Sequence, residues 1–160
     1  MHRFIIDSER DRIFKARNFH ELLEIALPLA SRLPKPTIQL SGPVTTGGRG
    51  SVEENVALFH AATELLTRKG HAVFDIMVFQ ESMLRLIDER SPNEYCFELL
   101  EVFFGGVIGS GHISAVHFLP GWEQSTGSRW ERNFCHKNDI PIIDFSPVLI
   151  ADLEGLSITQ

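Results

Sequence analysis

The stretch ISAVHFLPGWEQSTGSRWER, residues 113–132, is the most informative part of the chain for its architecture. Residues 113–119 form a short apolar run without regular alternation, which is typical of a strand buried on both faces of a parallel sheet. A loop rich in Gly, Ser and Thr follows at residues 120–127, and a helix is predicted from Ser128 to about Lys137. A strand, a loop and a helix in this order are the repeating unit of α/β domains.

The rest of the chain repeats this order. Apolar runs predict further strands at residues 37–40, 71–79 and 141–145, and apolar residues at helical spacing predict helices at residues 19–33, 52–69 and from 91 to about 104. Right-handed crossovers between parallel strands then give a doubly wound α/β domain. We therefore predict an N-terminal helical extension at residues 1–36 and the α/β domain at residues 37–160.

Ser-x-x-Glu patterns mark three of the predicted helix starts, at Ser51, Ser91 and Ser128. In such a capping box the Ser side chain binds a backbone N–H, and the Glu folds back on the first residue of the box. Glu131 is the last residue of the third box. One interpretation of Glu131 is therefore purely structural.

Single residues also indicate where two of the predicted helices begin or are interrupted. Asn18 is expected to cap the helix at residues 19–33, and Pro28 is expected to kink or shorten it. Gly105 and Gly106 are expected to interrupt the helical segment that begins after Ser91.

The composition is that of an ordinary soluble globular protein. The 160 residues are 43% hydrophobic and 22% charged, with a formal net charge of −6. This excludes a largely disordered chain, and the acidic balance disfavours nonspecific binding to nucleic-acid phosphates. The only cysteines are Cys96 and Cys135, and no secretion signal or membrane-spanning run is recognisable. We therefore expect a reduced, cytoplasmic protein that binds neither nucleic acid nor membrane.

Two loops at the carboxyl ends of predicted strands carry the candidate site, because ligands of doubly wound sheets bind at that edge. The first loop contains Ser41-Gly42-Pro43 and the glycine-rich Gly47-Gly48-Arg49. Its spacing matches neither a dinucleotide-binding fingerprint nor a P-loop.

The second loop, at residues 120–127, is the better place for an anion. Its Gly127 allows a phosphate to approach the backbone, and Ser125 supplies a hydroxyl at the start of a helix, where backbone N–H groups are unpaired. Glu131 lies one turn inside the same helix, so an anion and a carboxylate share one crevice. Trp122 is either a platform for a base or sugar, or an anchor for the loop.

Other acids and metal ligands carry less information. Asp75 lies at the end of a predicted buried strand, where it either caps a turn or faces the crevice. Glu98 and Glu101 share one helix face, for which solvent exposure is the default. The His and Cys residues lack the spacing of a zinc site.

These motifs resemble those of the nucleoside 2-deoxyribosyltransferase-like superfamily over about residues 37–146. The resemblance rests on Ser41-Gly42-Pro43, on Asn55 and Phe59, on Gly70-His71-x-Val73, and on Leu119-Pro120-Gly121-Trp122-x-x-Ser125-x-Gly127-x-x-x-Glu131. The last pattern is similar to that of small uncharacterised bacterial members. The Gly47-Gly48-Arg49 loop resembles that of the branch that cleaves nucleoside 5′-monophosphates.

The resemblance implies a flavodoxin-like parallel sheet of four to five strands with flanking helices. It also implies that Glu131 attacks the anomeric carbon of a ribose or deoxyribose, without a metal or cofactor. Nucleoside transferases of this superfamily carry an acid at the position of Ser125, whereas the 5′-phosphate hydrolases carry Ser. An acid there would repel a phosphate, so the resemblance points to a nucleotide substrate.

The expected function is therefore hydrolysis of the base–sugar bond of a nucleoside 5′-monophosphate. Asp75 is the candidate proton donor for the leaving base. The expected substrate contacts are Ser41, Gly42, Pro43, Gly48, Arg49, Trp122, Ser125 and Gly127. A nucleoside deoxyribosyltransferase and a non-catalytic nucleotide sensor on the same fold stay open as alternatives. Members of the superfamily commonly form homodimers, so a homo-oligomer is also implied.

Overall fold

The computed structural model describes residues 5–45 and 48–159. The described strands are β1 (Thr37–Ser41), β2 (Ala72–Phe74), β3 (Ala115–Phe118) and β4 (Ile142–Asp144). The described α-helices are α1 (Asp7–Lys15), α2 (Phe19–Arg32), α3 (Val52–Arg68), α4 (Gln80–Arg90), α5 (Gly105–Ile108), α6 (Thr126–Lys137) and α7 (Pro147–Thr159). A π-helical stretch, Leu99–Phe104, runs directly into α5, and 3-10 turns occupy Ile76–Phe79 and Trp122–Gln124.

The strands form one parallel sheet in the order β2-β1-β3-β4. Every residue of β1 and β3 is buried, which explains why their sequences do not alternate between apolar and polar side chains. The register places Gln39 of β1 opposite Phe74 of β2 and Val116 of β3. The prediction of a doubly wound, flavodoxin-like α/β domain with four to five strands is confirmed, and the described part of the chain has four.

The helices pack in two groups around this sheet. One group contains α3 and α7, which pack against each other, and α3 also contacts β2. The other contains α2, the π-helical stretch, α5 and α6. The connections run from β1 through α3 to β2 at one edge and from β3 through α6 to β4 at the other, so the winding reverses between β1 and β3.

The two N-terminal helices pack on the rest of the chain. Phe19, Leu22 and Leu29 of α2 are fully buried in the same hydrophobic core as the sheet residues. The Ser82 hydroxyl of α4 donates a hydrogen bond to the carbonyl of Ile13 at 2.8 Å, which fixes α1 against α4. In the part of the chain that is described, no helix is both long enough and apolar enough to cross a membrane.

The predicted strand at residues 71–79 is too long, because the strand ends at Phe74. The Asp75 side chain accepts a hydrogen bond from the backbone N–H of Met77 at 3.0 Å and caps the 3-10 turn that follows. The apolar run continues through this turn because Ile76 and Phe79 are also buried. Burial, not strand geometry, explains the second half of the run.

The predicted helix start at Ser91 is wrong. Helix α4, which was not predicted, ends at Arg90, and residues 92–94 form a turn before helix resumes at residue 97. Gly105 and Gly106 do not interrupt that helix. A side chain on Gly106 would place its Cβ 2.6 Å from Leu23, so the glycine allows α5 and α2 to pack closely.

Pro28 does not shorten α2, which continues to Arg32. The predicted N-cap is confirmed, since the Asn18 side chain accepts a hydrogen bond from the Glu21 N–H at 2.9 Å. The cap at Ser51 is confirmed in the same way, because its hydroxyl accepts from the Glu54 N–H at 3.1 Å.

Candidate active site

A cavity of about 310 Å³ opens at the carboxyl edge of the sheet, where the winding reverses between β1 and β3. In parallel α/β sheets this is the usual place for a ligand. Ser41 and Gly42 line it from the end of β1, and Ser125, Gly127 and Glu131 line it from the start of α6. These five residues were all predicted as site residues, and the fold brings them to one wall.

Glu131 is not the end of a capping box, and this part of the sequence-based expectation is wrong. Helix α6 begins at Thr126, and its N-cap is Ser125, whose hydroxyl accepts a hydrogen bond from the Ser128 N–H at 3.2 Å. Ser128 therefore occupies the position of a capping-box acid, and Glu131 lies one turn further along. Its carboxyl is released from any capping role, and the residue is only 5% exposed.

A serine hydroxyl contacts the Glu131 carboxyl, and a second serine hydroxyl contacts the first. The Ser41 hydroxyl donates a hydrogen bond to Oε2 of Glu131, and the hydroxyl oxygens of Ser41 and Ser128 are 3.0 Å apart. Burial raises the pKa of Glu131 to about 8, although the hydrogen bond from Ser41 acts in the opposite direction. The carboxyl is thus poised to exchange its proton near neutral pH.

Tyr95 is part of this wall and was not predicted. Its pKa is raised to about 12, first by burial and then by the negative charge of Glu131. The Tyr95 hydroxyl lies so close to α6 that a Cβ on Gly127 would be 3.0 Å from it. Gly127 is therefore needed for the close approach of this tyrosine. A single Tyr in a loop forms no sequence pattern that would have marked Tyr95 as a site residue.

The rest of the lining is largely apolar and was also missed. It comes from the loop after β1, from α3, from the segment at residues 76–88, and from the turn and π-helical stretch at residues 94–104. Its apolar members are Val44, Phe59, Ile76, Met77, Met83, Leu84, Ile87, Leu99, Leu100 and Phe104. The sequence could not mark these residues, because core and cavity walls share the same apolar spacing.

Residues 36–144 match the family model described as Domain of unknown function (DUF4406), which is more than half of the chain. The chain belongs to the DUF4406 family. No curated protein and no solved structure matches the chain. The matched DUF4406 segment contains the whole sheet and Glu131, but not α1, α2 or α7.

The described residues of the glycine-rich loop, Gly48 and Arg49, have contacts outside the cavity. The backbone N–H of Gly48 donates to Oε1 of Gln124 at 3.0 Å, so the two candidate loops are joined here. The Arg49 side chain forms an ion pair with Glu154 of α7 at 2.9 Å. Pro43, Gly48 and Arg49 are not among the described residues that line the cavity beside Glu131. Thr46 and Gly47 of this loop lie outside the described residues.

Trp122 anchors its loop in this DUF4406 structure. The Arg132 guanidinium lies 4.1 Å from the centre of the Trp122 ring. Arg132 is held in turn by Asp144 of β4, with two hydrogen bonds of 2.7 and 3.0 Å. Of the two predicted roles for Trp122, these contacts favour the anchor over a platform for the ligand.

The acids that were considered beside Glu131 have other contacts. Asp75 is buried and caps the 3-10 turn, and it is not among the described residues that line the cavity. Its role as a proton donor stays a prediction. Glu98 forms two hydrogen bonds of 2.8 Å with Arg90 at the surface. In the described part of the DUF4406 fold, His, Cys, Asp and Glu residues form no group of three that could hold a metal.

Proposed function

We propose that the chain is a glycosidase that hydrolyses the base–sugar bond of a nucleoside 5′-monophosphate. The observation that carries the proposal is the Glu131 carboxyl, buried on a cavity wall and held by Ser41 rather than by a cation. Cleavage of this bond builds positive charge on the anomeric carbon, which a carboxylate stabilises or traps as a covalent intermediate. The motif resemblance to nucleoside 2-deoxyribosyltransferase-like proteins supports the same reaction.

In the proposed reaction, an ionised Glu131 oxygen bonds to the anomeric carbon as the bond from that carbon to the base nitrogen breaks. The base leaves with the electron pair and takes up a proton from solvent. Water then attacks the same carbon, gives a proton back to solvent, and releases the sugar phosphate with Glu131 ionised again. The Ser41 hydroxyl positions the carboxylate oxygen through its hydrogen bond.

The 5′-phosphate is assigned to the start of α6. Ser125 and Gly127 line the cavity there, where the backbone N–H groups of the first helical turn carry a partial positive charge. Neither Lys nor Arg is among the described residues that line the cavity. Phosphate binding in this proposal therefore depends on hydroxyl and backbone donors alone.

A second candidate is transfer of deoxyribose between bases, with an uncharged nucleoside as the substrate. The absence of a cation among the described lining residues favours it, as does the position of Asp88 and Glu94 on the same cavity. An uncharged sugar hydroxyl needs no positive partner, whereas a phosphate next to carboxylates is repelled.

The test is a panel of ribo- and deoxyribonucleoside 5′-monophosphates and the matching nucleosides, with and without an acceptor base. We expect free base from at least one monophosphate, and a loss of about 1,000-fold or more for Glu131→Gln. Asp144→Asn, which changes a surface acid at the same sheet edge, is the matched control and is expected to keep its rate.

The panel separates the candidates. Base exchange on nucleosides alone would replace the hydrolase with the transferase. Nucleotide binding without turnover would indicate a sensor. Equal base release by Glu131→Gln would contradict both enzymatic proposals. The homodimer that the motif resemblance implies is part of the proposal, and light scattering after size exclusion measures it.

A further inference from the structure

Tyr95 reaches the start of α6 from a separate segment of the chain. It lies between α4 and the π-helical stretch, and its ring packs on the ring of Phe97 with 4.9 Å between the ring centres. A Cβ on Gly127 would lie only 3.0 Å from the Tyr95 hydroxyl, so this oxygen is placed against the first turn of α6. Tyr95, Ser125 and Gly127 line the same cavity.

The Tyr95 hydroxyl is accessible to a ligand in that cavity. The described residues give it no hydrogen-bond partner, and it is not among their fully buried polar atoms that lack a partner. The amide nitrogens of Gln39 and Gln80 do belong to that buried group, so a ligand does not reach them. A phenol that is neither paired nor fully buried can donate its hydrogen to a molecule in the cavity.

The first turn of α6 offers further donors beside this hydroxyl. Among the described residues, no acceptor pairs with the backbone N–H of Thr126 or of Gly127. The Ser125 hydroxyl accepts a hydrogen bond from the Ser128 N–H, and it still has its own hydrogen to donate. Backbone N–H groups at this end of a helix also carry a partial positive charge. Together with Tyr95 these groups form a set of donors that suits an anion.

The surroundings of Tyr95 keep its hydroxyl protonated. Burial raises its pKa first and the negative charge of Glu131 second, to about 12. Arg129 acts in the opposite direction, but its guanidinium donates to the Glu123 carbonyl at 2.8 Å, and it is not among the described residues that line the cavity. Near neutral pH the hydroxyl is therefore uncharged, so it donates to a phosphate and does not repel it.

We propose that the Tyr95 hydroxyl binds the 5′-phosphate of the ligand and makes the site prefer nucleotides to nucleosides. The inference rests on the proposed function, which assigns this phosphate to the start of α6. A hydrogen bond to a charged acceptor is stronger than one to a neutral acceptor. Tyr95 therefore stabilises a bound phosphate more than it stabilises the 5′-hydroxyl of a nucleoside.

The binding test uses the Glu131→Gln protein, so that turnover does not interfere. Calorimetry compares nucleoside 5′-monophosphates with the matching nucleosides. The further change Tyr95→Phe keeps a ring against Phe97 and removes only the hydroxyl. We expect it to weaken the best monophosphate by about 10-fold or more, and its nucleoside by less than about 2-fold. The control Ser110→Ala removes a hydroxyl that donates to the Val107 carbonyl, and it should change neither affinity.

A spectroscopic test in the same protein reports on the hydroxyl itself, because Tyr95 is the only tyrosine of the chain. Ribose 5-phosphate and ribose do not absorb where tyrosine does, so an absorbance difference on binding comes from the protein. We expect a tyrosine difference band with ribose 5-phosphate, and none with ribose or in Tyr95→Phe. A band of equal size with ribose would show that the hydroxyl does not distinguish the phosphate, and it would overturn the inference.

The remaining outcomes distinguish this inference from the proposed function. Monophosphates that lose affinity with Tyr95→Phe and are not cleaved by the wild-type protein support phosphate binding by Tyr95 and refute the glycosidase. Base release with the same preference for monophosphates over nucleosides in wild type and Tyr95→Phe supports the glycosidase and refutes the inference. An equal loss of affinity for monophosphate and nucleoside would show a packing role for Tyr95 and also refute the inference. No binding of any nucleotide refutes both.

Discussion

Glu131 and Asp144 are two carboxylates near the same edge of the sheet, and their surroundings are opposite. Glu131 is buried in the cavity wall, where Ser41 donates to it, and burial raises its pKa to about 8. Asp144 is largely exposed and is held by two hydrogen bonds from Arg132, which lower its pKa. Asp144 is therefore paired with a cation, whereas Glu131 is not.

The difference arises within one turn of α6. Glu131 and Arg132 are sequence neighbours, and successive residues of a helix point about 100° apart. Arg132 therefore faces β4 and Trp122, while Glu131 faces the cavity. A buried acid without a cation is costly, and such groups concentrate at functional sites. In the proposed function, this contrast favours Glu131 over Asp144 as the acid that takes part in the reaction.

The largest expected effect is on the pH dependence of base release. If Glu131 acts as an ionised nucleophile with a pKa of about 8, kcat/KM falls tenfold for each pH unit below that value. The rate at pH 5 is then about 1,000-fold below the plateau. Initial rates between pH 5 and pH 9 measure this profile.

Asp144→Asn is the control for that profile and should leave its midpoint unchanged, while circular dichroism confirms folding at each pH. A rate that falls as the pH rises through 8 would instead assign Glu131 the role of a proton donor. A flat profile would show that Glu131 does not titrate in this range, and the rate of Glu131→Gln would then decide whether it takes part in the chemical step.

The second prediction concerns stability. The pKa of Glu131 is about 8 in the folded protein against an ordinary value of 4.5, so the folded state holds the extra proton between these values. Stability is therefore highest below about pH 4.5 for this group and is lost as the pH rises towards 8. Glu131→Gln removes that loss and should stabilise the protein at pH 8 by on the order of 4 kcal/mol.

Urea unfolding at pH 5 and pH 8 measures the difference between wild type and Glu131→Gln. The stabilisation should be several times larger at pH 8 than at pH 5, because wild-type Glu131 is still mostly protonated at the lower pH. An equal difference at both pH values would mean that the carboxyl does not titrate in this window.

The sheet and the loops at its edge follow closely from the sequence, because buried parallel strands leave long apolar runs. Helices α4 and α7 were not predicted. The run at residues 71–79 reads as one strand, yet the side chain of Asp75 ends the strand and starts a new turn. The spacing of apolar residues alone cannot distinguish a buried strand from a buried turn followed by a helix.

The prediction that Gly105 and Gly106 interrupt a helix was wrong for a physical reason. Gly105 and Gly106 have low helix propensity, which favours a break. In the fold they are the positions where α5 meets its neighbours, since a Cβ on Gly105 would lie 3.2 Å from Trp130 and one on Gly106 would meet Leu23. Tertiary packing outweighs propensity here, and packing partners that are distant in sequence are not visible in a single sequence.

Part of the candidate site was predicted and part was missed, for the same reason. The wall made by Ser41, Ser125, Gly127 and Glu131 comes from strand ends and a helix start, which local patterns reveal. Tyr95 and the α4 face come from segments whose placement depends on tertiary packing. The ion pair of Arg49 with Glu154 was also hidden, because α7 was not predicted.

The smallest expected effect is at the surface acid. Asp144 is mostly exposed, so Asp144→Asn should cost less than about 1 kcal/mol at pH 7. Its pKa is lowered in the folded protein, so the stabilisation is present above the ordinary value of 3.8 and is lost as the pH falls below it.

Thermal melts at pH 7 and pH 3 measure the cost of Asp144→Asn, which should be smaller at pH 3. Arg132→Met should cost more than Asp144→Asn at both pH values, because it also removes the contacts of the guanidinium with Trp122 and Phe118. If Asp144→Asn changed stability as much as Glu131→Gln, with the same sign and pH dependence, the two acids would share one environment. Nothing would then distinguish Glu131 from a surface carboxyl in an ion pair, and the proposal that Glu131 acts in binding or chemistry would lose its support.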